Sequence, residues 1–167
     1  MLVRAEKQAD RSAVRRVNAR AFATPAESRL VDALRSLAGP LISLVAEEGK
    51  EVVGHILFSP VSLDSKPGLR VMGLAPMAVD PGHQRNGIGA ALVKAGLKQC
   101  KAQGVDAVVV LGYPDYYPQF GFLPSTRYGF RSEYDVPDDV FMALELVHNC
   151  LKGASGKAKY HEAFAGQ

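Results

Sequence analysis

Residues 84–90 read Gln-Arg-Asn-Gly-Ile-Gly-Ala, between a predicted buried strand at 71–79 and a predicted helix at 90–103. Gly87 and Gly89 lack a Cβ atom where the chain enters the helix, so a ligand can approach the main chain there. The first N–H groups of a helix have no partner within it, and the helix dipole adds partial positive charge. The loop therefore predicts an anion site, with phosphate as the favoured anion, against the alternative of a tight strand-to-helix turn.

Two further patterns place this loop inside a sheet. The all-apolar run at 107–111 predicts a strand buried on both faces, and with the strand at 71–79 and the helix between them it predicts a parallel βαβ unit. Upstream, β-rich runs at 41–46 and 52–58 flank a charged turn that contains glycine, which predicts a hairpin. A hairpin followed by a βαβ unit favours an α/β fold, with a mixed central β-sheet and helices on both faces.

The N-terminal part predicts a short strand and two helices. The strand is expected at 3–5, and the first helix at 11–22 with Asp10 as its N-cap. The second helix follows Pro25, with Thr24 as its N-cap. Its inner face is expected to carry Leu30, Val31, Leu34 and Leu37.

Length and composition indicate one globular domain. The chain has 167 residues, 47% of them hydrophobic, which predicts a single domain over 1–167 with a sizeable core. A strand at 140–146 is expected to be the last in the sheet, and residues 148–167 are expected to form a C-terminal extension on the surface.

Charge and hydropathy argue against several classes of partner. The 20 Lys and Arg against 17 Asp and Glu give a net charge of +3, without the basic stripe of a nucleic-acid-binding protein. No run approaches the ~18 consecutive apolar residues of a membrane span. The charged N-terminus lacks a secretory signal, so a cytoplasmic protein is expected. Cys100 and Cys150 form neither a disulfide framework nor a Cys-x-x-Cys motif, and no metal site is expected.

Two familiar phosphate-binding motifs do not fit the loop at 84–90. A P-loop needs Gly-Lys-Ser/Thr, which the sequence lacks. A dinucleotide fingerprint needs a third glycine or alanine where Leu92 stands, and it opens a βαβ run instead of following a hairpin. A nucleotide-binding regulator is therefore disfavoured.

The sequence resembles a third pattern, that of the GNAT acetyltransferases. Gln/Arg-x-x-Gly-x-Gly/Ala after a central strand is the acyl-CoA pyrophosphate signature of that family, and residues 76–92 are similar to it. The segment at 116–122 resembles a second family feature, a tyrosine four residues before a Gly-Phe pair, and residues 54–61 look like the YhbS-like subgroup. The resemblance extends over roughly residues 3–147. It implies the GNAT fold and acetyl-CoA as cosubstrate.

The resemblance assigns expected cofactor contacts residue by residue. The backbone of a strand segment would bind the pantetheine arm and leave an N–H near the thioester oxygen, where it stabilises the developing oxyanion; this segment is Met77, Ala78 and Val79. The loop and the helix start would cradle the pyrophosphate, through Gln84, Arg85, Asn86, Gly87, Ile88, Gly89 and Ala90.

Tyr117 matches the tyrosine that the family places near the thioester sulfur, which implies a catalytic role. The leaving thiol has an ordinary pKa of about 8.5, so the departing sulfur gains from a nearby phenol as proton donor. Tyr116 is adjacent, and which of the two faces the sulfur stays open at this point, as does an aromatic packing pair.

The acceptor side is less defined in the sequence. Glu27 begins the second helix, where the family often places its acceptor-binding segment, although a glutamate there also favours the helix dipole. His55 is the other candidate for contact with substrate, although a lone histidine in an apolar strand is more often structural. The sequence does not identify the general base: the candidates are Glu27, His55, Asp80, Glu47 and Glu48, and water relayed to one of them is an equal contender.

The resemblance implies direct transfer of an acetyl group from acetyl-CoA to a primary amine, without a covalent enzyme intermediate. The acceptor can be a small amine, an amino acid, an antibiotic or a protein N-terminus, and a homodimer is compatible with the family. The alternative is a non-catalytic acyl-CoA-binding sensor or partner subunit, which needs the cradle at 84–90 but no proton donor.

Overall fold

The computed structural model describes residues 1–37 and 39–166. Within them, three α-helices flank one sheet: α1 Arg11–Ala21, α2 Ala26–Leu37 and α3 Ile88–Ala102. The strands are β1 Leu2–Ala5, β2 Ile42–Glu48, β3 Glu51–Leu63, β4 Val71–Val79, β5 Ala107–Leu111, β6 Leu123–Pro124, β7 Arg131–Ser132, β8 Phe141–Glu145 and β9 Lys157–Tyr160. Short 3₁₀ turns include Pro81–His83, Tyr117–Phe120 and Glu162–Gly166. None of the helices in this part of the chain is long and apolar enough to cross a bilayer.

The sheet is mixed, as the sequence predicts. Its main path runs β1-β2-β3-β4-β5-β8-β6, and β9 pairs with β3 and β7. β2 and β3 form the expected hairpin, and β4 and β5 form the expected parallel pair, connected by α3. The other neighbours on the main path are antiparallel.

The parallel pairing of β4 with β5 is short. It extends only from Val71 and Ala107 to Gly73 and Val109. Both strands continue beyond this point, because β4 stays paired with β3 as far as Val79 and β5 stays paired with β8 as far as Leu111. Beyond Gly73, the β4 edge that faces β5 has no strand partner among the described residues.

Helices cover both faces of the sheet, which confirms the predicted architecture. Ile56 and Phe58 of β3 pack in one cluster with α3, whereas Leu57 packs in another with α1 and α2. Since side chains alternate across a strand, these clusters lie on opposite faces. Leu30, Val31 and Leu34 of α2 are buried as expected. The side chain of Leu37 lies outside the described part of the chain.

Asp10 occupies the predicted N-cap position of α1, but its side chain has other partners. The Asp10 carboxylate makes no capping bond to α1. It accepts two hydrogen bonds from the Arg4 guanidinium, at 2.7 and 3.0 Å, and one from the Lys7 N–H. These charge-assisted hydrogen bonds to Arg4 take the place of a capping bond from the Asp10 carboxylate to α1. Thr24 Oγ1 accepts a hydrogen bond from the N–H of Ala26, the first residue of α2.

The prediction of a surface extension after residue 147 is wrong for β9. β2 pairs with β3 only as far as Phe58, although β3 continues to Leu63. β9 pairs with the next part of β3, from Val61 to Leu63, so this stretch does not remain an unpaired edge. Tyr160 becomes buried as a result.

A buried polar chain joins α1 and α2 to the first three strands. His55 of β3 is fully buried, with Nδ1 3.1 Å from Asn18 Nδ2 and Nε2 2.9 Å from Ser43 Oγ. Ser43 donates its hydroxyl proton to Glu6, which also pairs with Arg35. Ser43 Oγ therefore accepts from Nε2–H of a neutral His55, and Nδ1 accepts from Asn18.

Burial lowers the pKa of His55 to about 4, with a smaller contribution from Arg35, while Glu6 opposes the shift. The ordinary histidine pKa is about 6.5. Between that pH and pH 4, His55 is protonated in the unfolded chain but stays neutral in the folded chain. The stability that this histidine contributes is therefore present above pH 6.5 and is lost as the pH falls toward 4.

We predict that acidification from pH 8 to pH 5 costs about 2 kcal/mol of unfolding free energy through His55 alone. Urea unfolding at both pH values measures the loss, and His55→Gln should remove most of it. The exposed His148 provides the control, because His148→Gln should keep the wild-type pH dependence. An unchanged pH dependence in His55→Gln would contradict this account of the buried histidine.

Candidate functional site

A cleft of about 830 Å³ opens beside the β4 edge that β5 leaves unpaired. β4 contributes residues 74–79, the following loop and the start of α3 contribute residues 84, 85 and 87–90, and residues 111–117 contribute three tyrosines. The far wall comes from the junction of α1 with α2 and from the C-terminal part of the chain. The short parallel pairing thus creates a cavity of the size that small-molecule sites have.

The glycine-containing loop forms one end of this cleft. Gly87 has a left-handed φ of 79°, and a Cβ atom there would meet nothing within 4 Å. A Cβ at Gly89 would lie 3.2 Å from Tyr116 Oη. No side chain caps the N-terminus of α3, so its first N–H groups remain available to a ligand. The geometry is that of the predicted anion site.

Six of the seven predicted cradle residues line the cleft, and Asn86 does not. Asn86 is exposed and is not among the residues that line the cleft, so its cofactor contact stays a prediction. Gln84 donates a hydrogen bond from Nε2 to the Val79 carbonyl at 3.1 Å, which ties the loop to the end of β4. Asp80 makes the turn between them, since its buried carboxylate accepts from the Gly82 N–H and pairs with Arg20 at 3.2 Å.

Met77, Ala78 and Val79, the residues expected to bind the pantetheine arm, line the cleft. On one side, β3 pairs with these residues through Ile56, His55 and Gly54. On the other side they have no strand partner in the described part of the chain. The Val79 carbonyl accepts a hydrogen bond from Gln84, and the remaining backbone groups of that edge can bind a ligand. Extended backbone with an open edge suits the amide groups of a linear ligand arm.

Both adjacent tyrosines reach the cleft. Tyr117 is only 7% exposed and packs edge-on against Phe122, with ring centroids 5.7 Å apart. Its ring also occupies the space that a Cβ at Gly112 would need. Tyr116 is half-buried, and its hydroxyl lies over the entry to α3. The sequence alone did not distinguish them, and the structure places both on the lining.

The two phenols are protonated at neutral pH. Burial raises the pKa of Tyr117 to about 12, and the neighbouring Tyr116 and Tyr113 add to the shift. Burial also raises the pKa of Tyr116. Each therefore keeps the O–H that a proton donor needs.

Of the two predicted substrate residues, one lies at the cleft. Glu27 lines it, and its Oε2 is buried without a hydrogen-bond partner. His55 is buried in the core with both ring nitrogens bonded, so the prediction that it contacts substrate is wrong. Among the other candidate bases, Asp80 is held in its turn, Glu47 pairs with Arg4, and Glu48 is exposed outside the cleft.

The sequence did not predict the four aromatic residues that line another part of the cleft. Phe22, Tyr134, Tyr160 and Phe164 all line the cleft. Tyr160 and Phe164 lie in the predicted extension at 148–167, and Tyr134 lies in a segment for which the sequence predicted no element. The aromatic residues of this polar C-terminal region were the available signal, because they are buried more readily than their neighbours.

Comparison with known proteins agrees with this geometry. The model of the acetyltransferase (GNAT) family matches residues 11–122. The uncharacterized N-acetyltransferase YhbS of Escherichia coli K12 is 33% identical over 165 residues, covering 98% of both chains.

Two solved structures are similar in fold along nearly the whole chain. A crystal structure of Escherichia coli YhbS in complex with CoA has a TM-score of 0.92 and 32% identity, covering 98% of this chain and 91% of that one. A GNAT family acetyltransferase from Brucella melitensis in complex with acetyl-CoA has a TM-score of 0.80 and 33% identity, covering 98% and 97%. The present chain belongs to the GNAT family of acetyltransferases.

Proposed function

We propose that the protein is an acetyl-CoA-dependent N-acetyltransferase that transfers the acetyl group directly to a primary amine. The observation that carries this proposal is the cleft itself, which joins an open strand edge, a glycine-lined helix entry and two protonated tyrosines. The CoA and acetyl-CoA bound by the two similar structures support acetyl-CoA as the cosubstrate.

The cofactor binds along β4 and the start of α3. Its pyrophosphate lies against the N–H groups at 87–90, where the helix dipole favours negative charge. The pantetheine amides pair with the open edge at Met77–Val79, much as a further strand would. A backbone N–H of that edge points at the thioester oxygen and stabilises the oxyanion that forms during attack.

The chemistry requires one proton donor near the sulfur. The lone pair of the free amine attacks the thioester carbonyl, and collapse of the tetrahedral intermediate breaks the C–S bond. The electron pair leaves on sulfur, to which Tyr117 donates its hydroxyl proton. The nitrogen releases its surplus proton to water, and the Tyr117 phenolate regains a proton from water. The raised pKa of Tyr117 keeps this donor protonated throughout the alkaline range in which free amines accumulate.

A non-catalytic acyl-CoA-binding module is the competing proposal. Such a module needs the cradle, but it has no use for phenol groups at the thioester or for a carboxylate oxygen of Glu27 that is buried without a hydrogen-bond partner among the described residues. Release of CoA thiol from acetyl-CoA in the presence of an amine, followed with a thiol reagent, decides between them. Amine-dependent release supports the enzyme, and none with any amine, despite CoA binding, supports the module.

We predict that Gly87→Val weakens CoA binding at least tenfold, because the new side chain enters the space that the pyrophosphate needs. Gly49→Val is a matched control: Gly49 also has a left-handed φ with open space around its Cβ, but it lies in the β2–β3 turn, away from the cleft. Both variants should lose about 1–2 kcal/mol of stability. Calorimetric titration with CoA measures affinity, and equal affinities would place the ligand elsewhere.

We predict that Tyr117→Phe lowers kcat by about 100-fold, the usual lower bound for loss of general acid catalysis, while CoA affinity stays within about twofold. Tyr128→Phe is the control, since Tyr128 lies outside the cleft. Wild-type kcat for Tyr117→Phe between pH 7 and pH 10 would contradict the assignment. A loss found only in Tyr116→Phe would move the donor role to Tyr116.

A further inference from the structure

The lining of the cleft divides into two chemically different parts. The first consists of β4, the loop at 84–90 and the two adjacent tyrosines, and the proposed function assigns it to acetyl-CoA. The second, which we call the acceptor wall, comes from α1, α2 and the C-terminal region. It comprises Phe22, Glu27, Leu30, Tyr134, Tyr160 and Phe164.

The aromatic residues of the acceptor wall pack against one another. Tyr134 stacks on Tyr160, with ring centroids 6.0 Å apart and planes 28° apart, and Phe164 lies 4.9 Å from Tyr160. Phe164 also packs against the cluster that contains Leu30, so it joins the C-terminal rings to α2. A ligand with an apolar body can be buried against this surface, which removes apolar area from water on both sides.

One charged group interrupts this surface. Glu27 and Arg85 are the two charged residues along the described lining, and Arg85 belongs to the cradle. Glu27 Oε2 is buried and has no hydrogen-bond partner within residues 1–37 and 39–166. A carboxylate in this condition is costly unless a cation reaches it. The wall therefore carries one negative charge for one ammonium group, and it offers no carboxylate to a second.

Resting on the proposed function, we infer that the acceptor is a primary monoamine with an apolar or aromatic body. Glu27 binds its ammonium group, which loses one proton to water before the nitrogen attacks the thioester, and the acceptor wall buries the rest of the molecule. A polyamine or another polycation would have to leave a desolvated charge against aromatic rings without a carboxylate partner. Substrate choice thus depends on Phe22, Leu30, Tyr134, Tyr160 and Phe164.

The test uses three amines of nearly equal basicity with the wild-type protein and acetyl-CoA: n-hexylamine, ethylamine and 1,5-diaminopentane. n-Hexylamine and 1,5-diaminopentane have the same number of heavy atoms, and they differ in whether the far end is a methyl or an ammonium group. Release of CoA thiol gives kcat/KM for each. We expect n-hexylamine to exceed both others at least tenfold, and phenethylamine to be accepted as well.

Two variants test which residues produce the preference for n-hexylamine. Glu27→Gln should raise KM for n-hexylamine at least tenfold while CoA affinity is kept, whereas the exposed Glu48→Gln should match the wild type. Phe164→Ala should lower the ratio of n-hexylamine to ethylamine activity. The wild-type comparison needs neither variant, so a failure of Phe164→Ala to fold does not affect it.

The outcomes separate the inference from the function on which it rests. Equal kcat/KM for the three amines, or a preference for 1,5-diaminopentane, overturns the monoamine assignment and leaves the acetyltransferase proposal standing. CoA binding without thiol release in the presence of any amine overturns the acetyltransferase proposal, and the inference with it.

Discussion

The early end of the β4–β5 pairing is the constraint on which the rest of the site depends. Hydrogen bonding between these parallel strands stops at Gly73 and Val109, although both strands continue. Fully paired strands would leave no room between them, and the backbone groups of β4 would bond to β5. Because they part, one edge of β4 is open, and the cleft forms beside it.

The same separation brings the other chemical groups together. α3 connects β4 to β5, so its N-terminus follows the C-terminal end of β4, where it can bind an anion in the cleft. The segment after β5 returns across the gap and supplies Tyr116 and Tyr117. If β5 stayed paired with β4, the N-terminus of α3 and the two tyrosines would not face a common space. The early separation of the two strands therefore brings these groups together in one cleft.

The position of the acceptor wall depends on a different set of contacts. The buried chain from Asn18 through His55 and Ser43 to Glu6 and Arg35 ties α1 and α2 to β1, β2 and β3. These bonds hold the α1–α2 junction, with Glu27 nearby, above the cleft. His55 thus has a structural role and no contact with substrate, and a buried, neutral imidazole is sufficient for that role.

Local signals in the sequence predicted the hairpin, the βαβ unit and the glycine loop, because periodicity and the special backbone freedom of Gly87 are properties of short segments. β9 could not be predicted in this way. Lys157–Tyr160 becomes a strand because β3 offers an unpaired edge about a hundred residues earlier, and that edge is visible only in the assembled sheet. Tyr134 and Phe164 reach the cleft for the same long-range reason. The Asp10 side chain makes no capping bond to α1 because it binds Arg4 of β1.

Thermal unfolding with separate additions of acetyl-CoA, CoA, NAD and ATP tests the central claim, that this cleft is a CoA site, most directly. A ligand at ~100 times its Kd adds about 2.7 kcal/mol of stability, which raises Tm by about 5 °C or more for a chain of this size. The account predicts such a rise with acetyl-CoA and with CoA, and none with NAD or ATP. A rise with NAD or ATP alone, or no rise with any of the four, would contradict it.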